Sequence, residues 1–292
     1  MSATWQSQDT PAPVPITPGG WLRVVWRGLT LGGLTFSCLG LLLLVRLIER
    51  PLCGLRRPVT PFITQFVCRS AFFILGIGFS TKGALMRAPG AVVANHSSWL
   101  DIFALNARKR IYFVSKSEVA GWPGIGWLAR ATGTVFVTRD ARAARVQKDL
   151  FEARLKAGHK LLFFPEGTST DGLQVLPFKS TLFAAFFAPE LREEMWIQPV
   201  SVHYSAPDGQ DARFYGWWGD MDFGSHLLKV LAARRQGRIA LTYYPAIPVA
   251  DHPDRKSLTL ACEIAVRNGH LENSDQAIFD PKISPPDAPA AR

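Results

Sequence analysis

Cysteine is scarce in this 292-residue sequence, and what there is of it is scattered. Cys38, Cys53, Cys68 and Cys262 form no CxxC pair and keep no histidine at a zinc-ligand spacing, so neither a zinc centre nor a disulfide framework is indicated. Three of them lie in or near apolar segments, where cysteine behaves as a small hydrophobe. Free thiols and a reducing compartment are expected for the main domain. Acidic residues are also few: 23 Asp and Glu stand against 33 Lys and Arg, a net charge of +10. That balance suits a polyanionic partner, whether an anionic lipid surface, a nucleic acid or a phosphorylated ligand. No internal repeat is visible. No Gly-x-Ser-x-Gly elbow occurs either: Gly78-Phe79-Ser80 runs on into Thr81-Lys82, and Gly167-Thr168-Ser169 into Thr170-Asp171. A serine hydrolase of that type therefore lacks its nucleophile turn.

What is present divides unevenly along the chain. Residues 1–20 are polar and carry prolines at 11, 13, 15 and 18, which reads as a disordered tail. An uncharged apolar run follows over residues 28–45, and its eighteen residues are close to the lower limit for crossing a bilayer. Arg23 and Arg27 precede it, while Arg46, Arg50, Arg56 and Arg57 follow it, so the domain beyond should face the cytoplasm. A second apolar stretch over 62–79 is interrupted by Arg69 and reads as a partner helix in contact with the membrane, dipping into one leaflet or lying in the interface; a core helix is the plainer reading. Residues 21–82 are thus expected to hold the anchoring helices.

Short apolar runs then alternate with helical stretches. Strands are expected at 91–94, 111–114, 134–138, 160–164, 196–203 and 239–244. Helices are expected at 99–107, 141–157 and 180–188, with a closing helix over 255–268. The pattern implies an α/β domain over 83–270, a mixed and mostly parallel sheet flanked by helices. Residues 271–292, with four prolines from Asp280 on, read as a loose tail. Residues 80–160 carry 14 Lys and Arg against 5 Asp and Glu, so nearly all the positive excess lies there.

Candidate chemistry sits at the ends of the expected strands, where ligands bind in α/β sheets. Asn95-His96-Ser97-Ser98-Trp99-Leu100-Asp101 follows the first of them. Histidine is suited to take a proton near neutral pH, and a carboxylate on its far nitrogen would fix the tautomer. Five residues along a helix turn through about 500°, so His96 and Asp101 would not face each other within one helix. His96 is therefore expected in the turn before a helix, Asp101 in its first turn and Ser98 at the N-cap. The plainer reading makes Asp101 only a cap. Phe164-Pro165-Glu166-Gly167-Thr168-Ser169 ends a later strand and would bring Glu166 to the same edge; an ordinary turn is the alternative. Gly133-Thr134-Val135-Phe136-Val137-Thr138-Arg139 delivers an arginine suited to phosphate or carboxylate, unless it is simply solvated. Ile197-Gln198-Pro199-Val200 places a proline in a strand. Gly124-Ile125-Gly126 follows Trp122-Pro123 instead of a strand, which argues against a dinucleotide site. His159, His203, His226, His252 and His270 have no ligand spacing, and no metal is expected.

These four blocks, in this order from Asn95 to Val200, resemble the glycerolipid acyltransferases, the lysophosphatidate acyltransferase-like superfamily. The resemblance implies that His96 is the general base on an acceptor hydroxyl and Asp101 its orienting partner. It implies that Arg139 and Glu166 bind the acceptor's polar head and that Gly167 and Thr168 shape that pocket. It further implies an acyl-CoA or acyl carrier protein donor with no other cofactor, a membrane lipid acceptor, no nucleic-acid partner, and a place at the bacterial inner membrane. One departure bears on the acceptor. The family often carries an arginine after Glu-Gly-Thr, and Ser169 stands there, with Asp171 two places on. Loss of a charged hydrogen bond to phosphate weakens its binding by about 1.5–3 kcal/mol. With Trp217-Trp218-Gly219-Asp220-Met221 downstream, the sequence is similar to the bacterial lyso-ornithine lipid acyltransferases, whose acceptor has no phosphate. A lysophosphatidate acceptor is the alternative, and one enzyme could use both. A nucleic-acid-binding protein would explain the basic stretch but not the ordered blocks.

Overall fold

The computed structural model describes residues 4–7, 11, 15–138 and 144–278. Its frame is an eight-stranded sheet in the order β1-β7-β6-β2-β5-β3-β4, with β8 (Ile247–Pro248) also paired to β6. The strands are β1 (Gly78–Lys82), β2 (Gly90–Ala94), β3 (Tyr112–Lys116), β4 (Val135–Val137), β5 (Leu161–Phe163), β6 (Trp196–Ser205) and β7 (Arg238–Tyr243). Pairings along β6-β2-β5-β3-β4 are parallel, as is β1 with β7, while β7 and β8 run antiparallel to β6. The sheet is therefore mixed and mostly parallel. Helices cover both faces, and each face has its own apolar cluster. The central strands β2 and β5 are buried throughout, which is why they read as unbroken apolar runs instead of alternating ones. Glycine at position 90 is a steric requirement of this pairing. Its φ is 138°, and a Cβ there would lie 1.8 Å from the Trp196 carbonyl oxygen.

Two helices precede the sheet. The first, α1 (Pro18–Cys53), has 36 residues, about 54 Å at 1.5 Å per residue, and is long and apolar enough to cross a membrane. It is, however, tied to the domain near both ends. Arg23 donates to the Ala232 carbonyl, and Arg27 to those of Leu231 and Ala233, at the end of α7 (Phe223–Ala232). Guanidinium groups there also meet the negative end of that helix. Farther along, buried Leu42 lines a small cavity with Thr60 of α2 (Thr60–Leu75) and Thr132 of α4 (Ile125–Thr132), and Arg57, just past α1, donates to the Ala131 carbonyl. A bilayer between the two ends of α1 would break one of these attachments. The docked helix thus lies along the domain, with Leu29, Leu44 and Leu47 of its free face at least 64% exposed.

The second helix, α2, has two roles. Val67, Ala71, Phe72 and Leu75 are buried against the domain, whereas Phe62, Phe66 and Phe73 are exposed. Arg69, the charge that interrupts this apolar stretch, donates to the Ala107 carbonyl in the last turn of α3 (Leu100–Arg108). The core reading of α2 therefore holds for one of its sides, while the other is apolar and exposed.

Several expected boundaries move. Residues 78–82, assigned from sequence to the anchor, form β1 and pair with β7. The described part of the expected helix 141–157 is α5 (Ala144–Lys156), the stretch 180–188 is a 3-10 helix over Ser180–Phe187 followed by α6 (Pro189–Arg192), and the last helix, α8 (Arg255–Ile278), continues beyond residue 270 into the expected tail. Within the N-terminal stretch expected to be disordered, Trp5 meets Trp218 edge to face at 6.1 Å and Gln6 donates to Asp220. Helices α4 and α7 were not anticipated, being short and interrupted by glycine or flanked by aromatic loops.

Candidate active site

Register brings the two principal blocks together. Val93 of β2 pairs with Phe163 of β5, and the strands are parallel. His96 and Glu166 each lie three residues past that pair, so they leave the sheet side by side at the carboxyl edge. Asn95 fixes the departure from β6. Its side chain donates to the Val202 carbonyl and accepts from the Val202 N–H, both at 2.8 Å, and so continues the ladder where β2 itself stops. The asparagine before the histidine thus has a structural task that its place in the motif did not disclose.

The loop from His96 to Ser98 is held at every turn. The His96 N–H donates to Glu166 Oε1 at 2.7 Å, and the His96 carbonyl accepts from the Thr170 N–H at 3.0 Å. The Ser97 carbonyl accepts from the Trp217 N–H at 2.8 Å. The N–H groups of Ser97 and Ser98 both donate to Asp101 Oδ2, at 2.9 and 3.1 Å. Asp101, in the first turn of α3, reaches back over the loop and stands 2.7 Å from His96 Nδ1 with the same oxygen. Its other oxygen accepts from the Tyr204 hydroxyl. The helix start differs from expectation: Trp99 is the N-cap and Ser98 precedes it, its hydroxyl accepting from the Leu100 N–H at 3.3 Å. The carboxylate collects the Ser97 and Ser98 N–H groups, and the serine only that of Leu100.

The imidazole lies flat against Phe164, with ring centroids 4.0 Å apart and planes 12° apart. With Asp101 on Nδ1, the ring's remaining nitrogen is Nε2, and the side chain is 21% exposed while Asp101 is fully buried. A carboxylate accepting from Nδ1–H leaves Nε2 unprotonated and able to accept a proton. Ser97 and Ser98, the adjacent hydroxyl residues, are buried.

Glu166 is 1% exposed, and its second oxygen accepts from the Leu176 N–H at 2.8 Å. Burial pushes its carboxyl up to about 8, against the opposing effect of these two backbone bonds. Both oxygens therefore serve the backbone around the histidine. Gly167 continues the turn at φ 73°, and a Cβ there would lie 2.9 Å from Lys179 Nζ. Lys179, exposed beside this turn, was not singled out from sequence. The Thr168 hydroxyl accepts from the Trp5 N–H at 3.3 Å. Asp171 is buried and accepts from the Leu173 N–H at 3.1 Å, and it acts on His270 of α8. The exposed carboxylate of this neighbourhood is instead Asp220. Arg139, with Arg142, lies outside the described residues. Trp122, Trp217, Phe223 and Trp99 form a continuous series of edge-to-face contacts, 5.6–6.2 Å between centroids, beside the histidine loop. Among the described residues, no group of three or more His, Cys, Asp or Glu could hold a metal ion.

Buried histidines dominate the acid response, and His270 is lowered by burial in the same direction as the three that follow. Burial lowers His159 and His203 to about 4 and His226 to about 3, helped by Arg154, His270 and Lys229 respectively. An unfolded histidine titrates near 6.5. Each therefore contributes stability that is complete above that pH and is lost as pH falls towards its folded value. Glu166 acts oppositely, since its raised value favours the folded state as pH falls below about 8. Three groups outweigh one, at roughly 1–2 kcal/mol per histidine by pH 5. The thermal midpoint of detergent-solubilised protein is expected to drop between pH 7 and pH 5; a constant or rising midpoint would contradict neutral buried histidines.

The Acyltransferase family matches residues 79–203, which span the sheet strands and loops that carry this site. A lyso-ornithine lipid O-acyltransferase of Rhodobacter capsulatus is 57% identical over 270 residues, covering 92% of this chain and 98% of that one. The chain belongs to the acyltransferase family. Among other acyltransferases, the 1-acyl-sn-glycerol-3-phosphate acyltransferase of Neisseria gonorrhoeae is 37% identical over 72% of this chain and 81% of its own. The crystal structure of the 1-acyl-sn-glycerophosphate acyltransferase PlsC from Thermotoga maritima superposes with a TM-score of 0.63 over 87% of this chain and 96% of that one. At 20% identity it shows the shared fold. This acyltransferase therefore combines the family's sheet with a histidine whose ring is bonded to an aspartate and whose backbone N–H is bonded to a glutamate.

Proposed function

We propose that the protein is a membrane-bound O-acyltransferase that moves a fatty acyl group from an acyl thioester to the hydroxyl of lyso-ornithine lipid. The observation that carries the chemistry is the His96–Asp101 bond, which leaves Nε2 as the proton acceptor at the sheet edge. Nε2 takes the proton of the acceptor hydroxyl as its oxygen attacks the thioester carbonyl. Asp101 stabilises the imidazolium that forms. As the tetrahedral intermediate collapses, the carbon–sulfur bond breaks and the imidazolium returns its proton to the departing thiolate. An ester and a free thiol result, with no covalent enzyme intermediate. Acyl-CoA or acyl carrier protein supplies the thioester.

Ser169, in place of the family's frequent arginine, removes a phosphate contact, and similarity to the Rhodobacter enzyme extends over nearly its whole length. Arg139 and Lys179 are placed by this reading at the ornithine carboxylate, and Asp220 at its amine. Gly167 and Thr168 shape the pocket between them, and Glu166 supports it from beneath by holding the loop backbone. The exposed apolar faces of α1 and α2 enter one leaflet of the inner membrane from the cytoplasmic side, where the exposed Arg50 and Arg56 meet anionic lipid.

The test offers purified full-length enzyme both donors with lyso-ornithine lipid and with lysophosphatidate. A preference of at least about tenfold for lyso-ornithine lipid is expected, since one charged phosphate contact is worth about 1.5–3 kcal/mol. Preference for lysophosphatidate would overturn the acceptor assignment. No transfer to either by folded protein would overturn the reaction itself.

A further inference from the structure

The hydroxyl of Tyr204 makes a contact to Asp101 that no sequence block supplies. Tyr204 lies on β6, on the face it shares with Val200 and Val202, and is 7% exposed. Its ring packs beside Tyr215, with centroids 5.6 Å apart. A phenylalanine would fill this apolar space equally well, and burying a hydroxyl costs free energy unless it finds a partner. The partner here is Asp101 Oδ1, the oxygen that neither the loop N–H groups nor His96 uses. Burial, together with the neighbouring Asp101 carboxylate, holds the phenol well above its usual value, so it remains a neutral donor.

We propose that Tyr204 is a positioning residue for proton transfer: its hydroxyl bond to Asp101 fixes the carboxylate's rotation and tunes how strongly that carboxylate supports a charged His96. A hydrogen bond to one oxygen withdraws charge from the carboxylate. The other oxygen then attracts the imidazolium less, and the base strength of His96 is moderated. Without the bond Asp101 becomes more basic and His96 with it. The titratable groups facing Asp101 are His96 from the loop, Tyr204 from β6 and Glu166 from the turn after β5, with Tyr215 behind Tyr204.

The inference rests on His96 being the base, and the two can fail separately. Full activity of His96→Ala would remove the base; an inactive His96→Ala beside an unperturbed Tyr204 variant would remove only this role. The experiment measures pH profiles of kcat for the full-length enzyme, for Tyr204→Phe, and for enzyme carrying 3-fluorotyrosine at position 204. In Tyr204→Phe, kcat is expected to fall about tenfold, with KM for both substrates unchanged and the acid limb displaced upward by about half a pH unit or more. The fluorinated phenol is a stronger donor of nearly the same shape and should displace the limb downward. If Tyr204→Phe does not fold, the fluorotyrosine enzyme decides alone. Acid limbs unmoved in every folded variant, with only a lower thermal midpoint, would leave Tyr204 a packing residue and overturn the proposal.

Discussion

His96→Ala is expected to lower kcat by about 10³-fold or more while leaving the protein folded and membrane-associated. The structural bonds at this position are made by the backbone, to Glu166 and Thr170, and alanine keeps them. What is lost is the imidazole: its contact with Phe164, its bond to Asp101, and Nε2, the nitrogen proposed to accept the hydroxyl proton. The thermal midpoint should therefore change little compared with the rate. Single-turnover assays with saturating lyso-ornithine lipid separate chemistry from binding, and KM is expected to stay within a few-fold. Turnover near that of the wild type would end the case for His96 as the base.

Asp101→Asn should be nearly as damaging, by about 10²–10⁴ in kcat. Asp101 accepts four hydrogen bonds, three of them on Oδ2, and an amide can accept on only one of its two atoms. If the amide NH₂ faces His96, it selects the wrong tautomer and opposes the Ser97 and Ser98 N–H groups. If it faces Tyr204, the geometry survives but the imidazolium loses its counter-charge, and the acid limb of the pH profile moves down. Either arrangement also costs about 1–3 kcal/mol of stability through bonds that are weakened or unmade. The kinetic loss distinguishes this role from that of a helix cap. Were Asp101 only a cap, activity per folded molecule would persist and stability alone would fall by about 1 kcal/mol.

The ordering of motif, strand and turn was legible because the parallel strands are short and apolar and their ends carry distinctive residues. His96 and Glu166 could be placed at one edge from their positions after two such strands, and the register of Val93 with Phe163 makes that adjacency explicit. Glu166 had been expected to touch the acceptor. Both its oxygens also accept from backbone N–H groups, which a spacing argument could not reveal because the Leu176 segment folds back through an irregular loop. Asp171 raises the same difficulty, since its direction depends on how α8 closes over the loop. The charge count around the apolar run placed its two arginine groups at opposite flanks, yet both ends of α1 dock on the domain.

The sequence by itself determined the family, the α/β alternation, the long apolar helix near the N-terminus and the histidine with its carboxylate five residues on, since each is written in local pattern or contiguous motif. Tertiary structure alone decided that Tyr204 and Trp217 complete the histidine loop, that Asn95 splices β2 to β6, and that α1 lies along the domain. Those outcomes depend on contacts between segments about 100 to 200 residues apart, as with Tyr204 to Asp101 and Arg23 to Ala232. Chain-distant pairing is fixed by burial and by the need of every buried polar group for a partner, and neither quantity is defined until the sheet has formed.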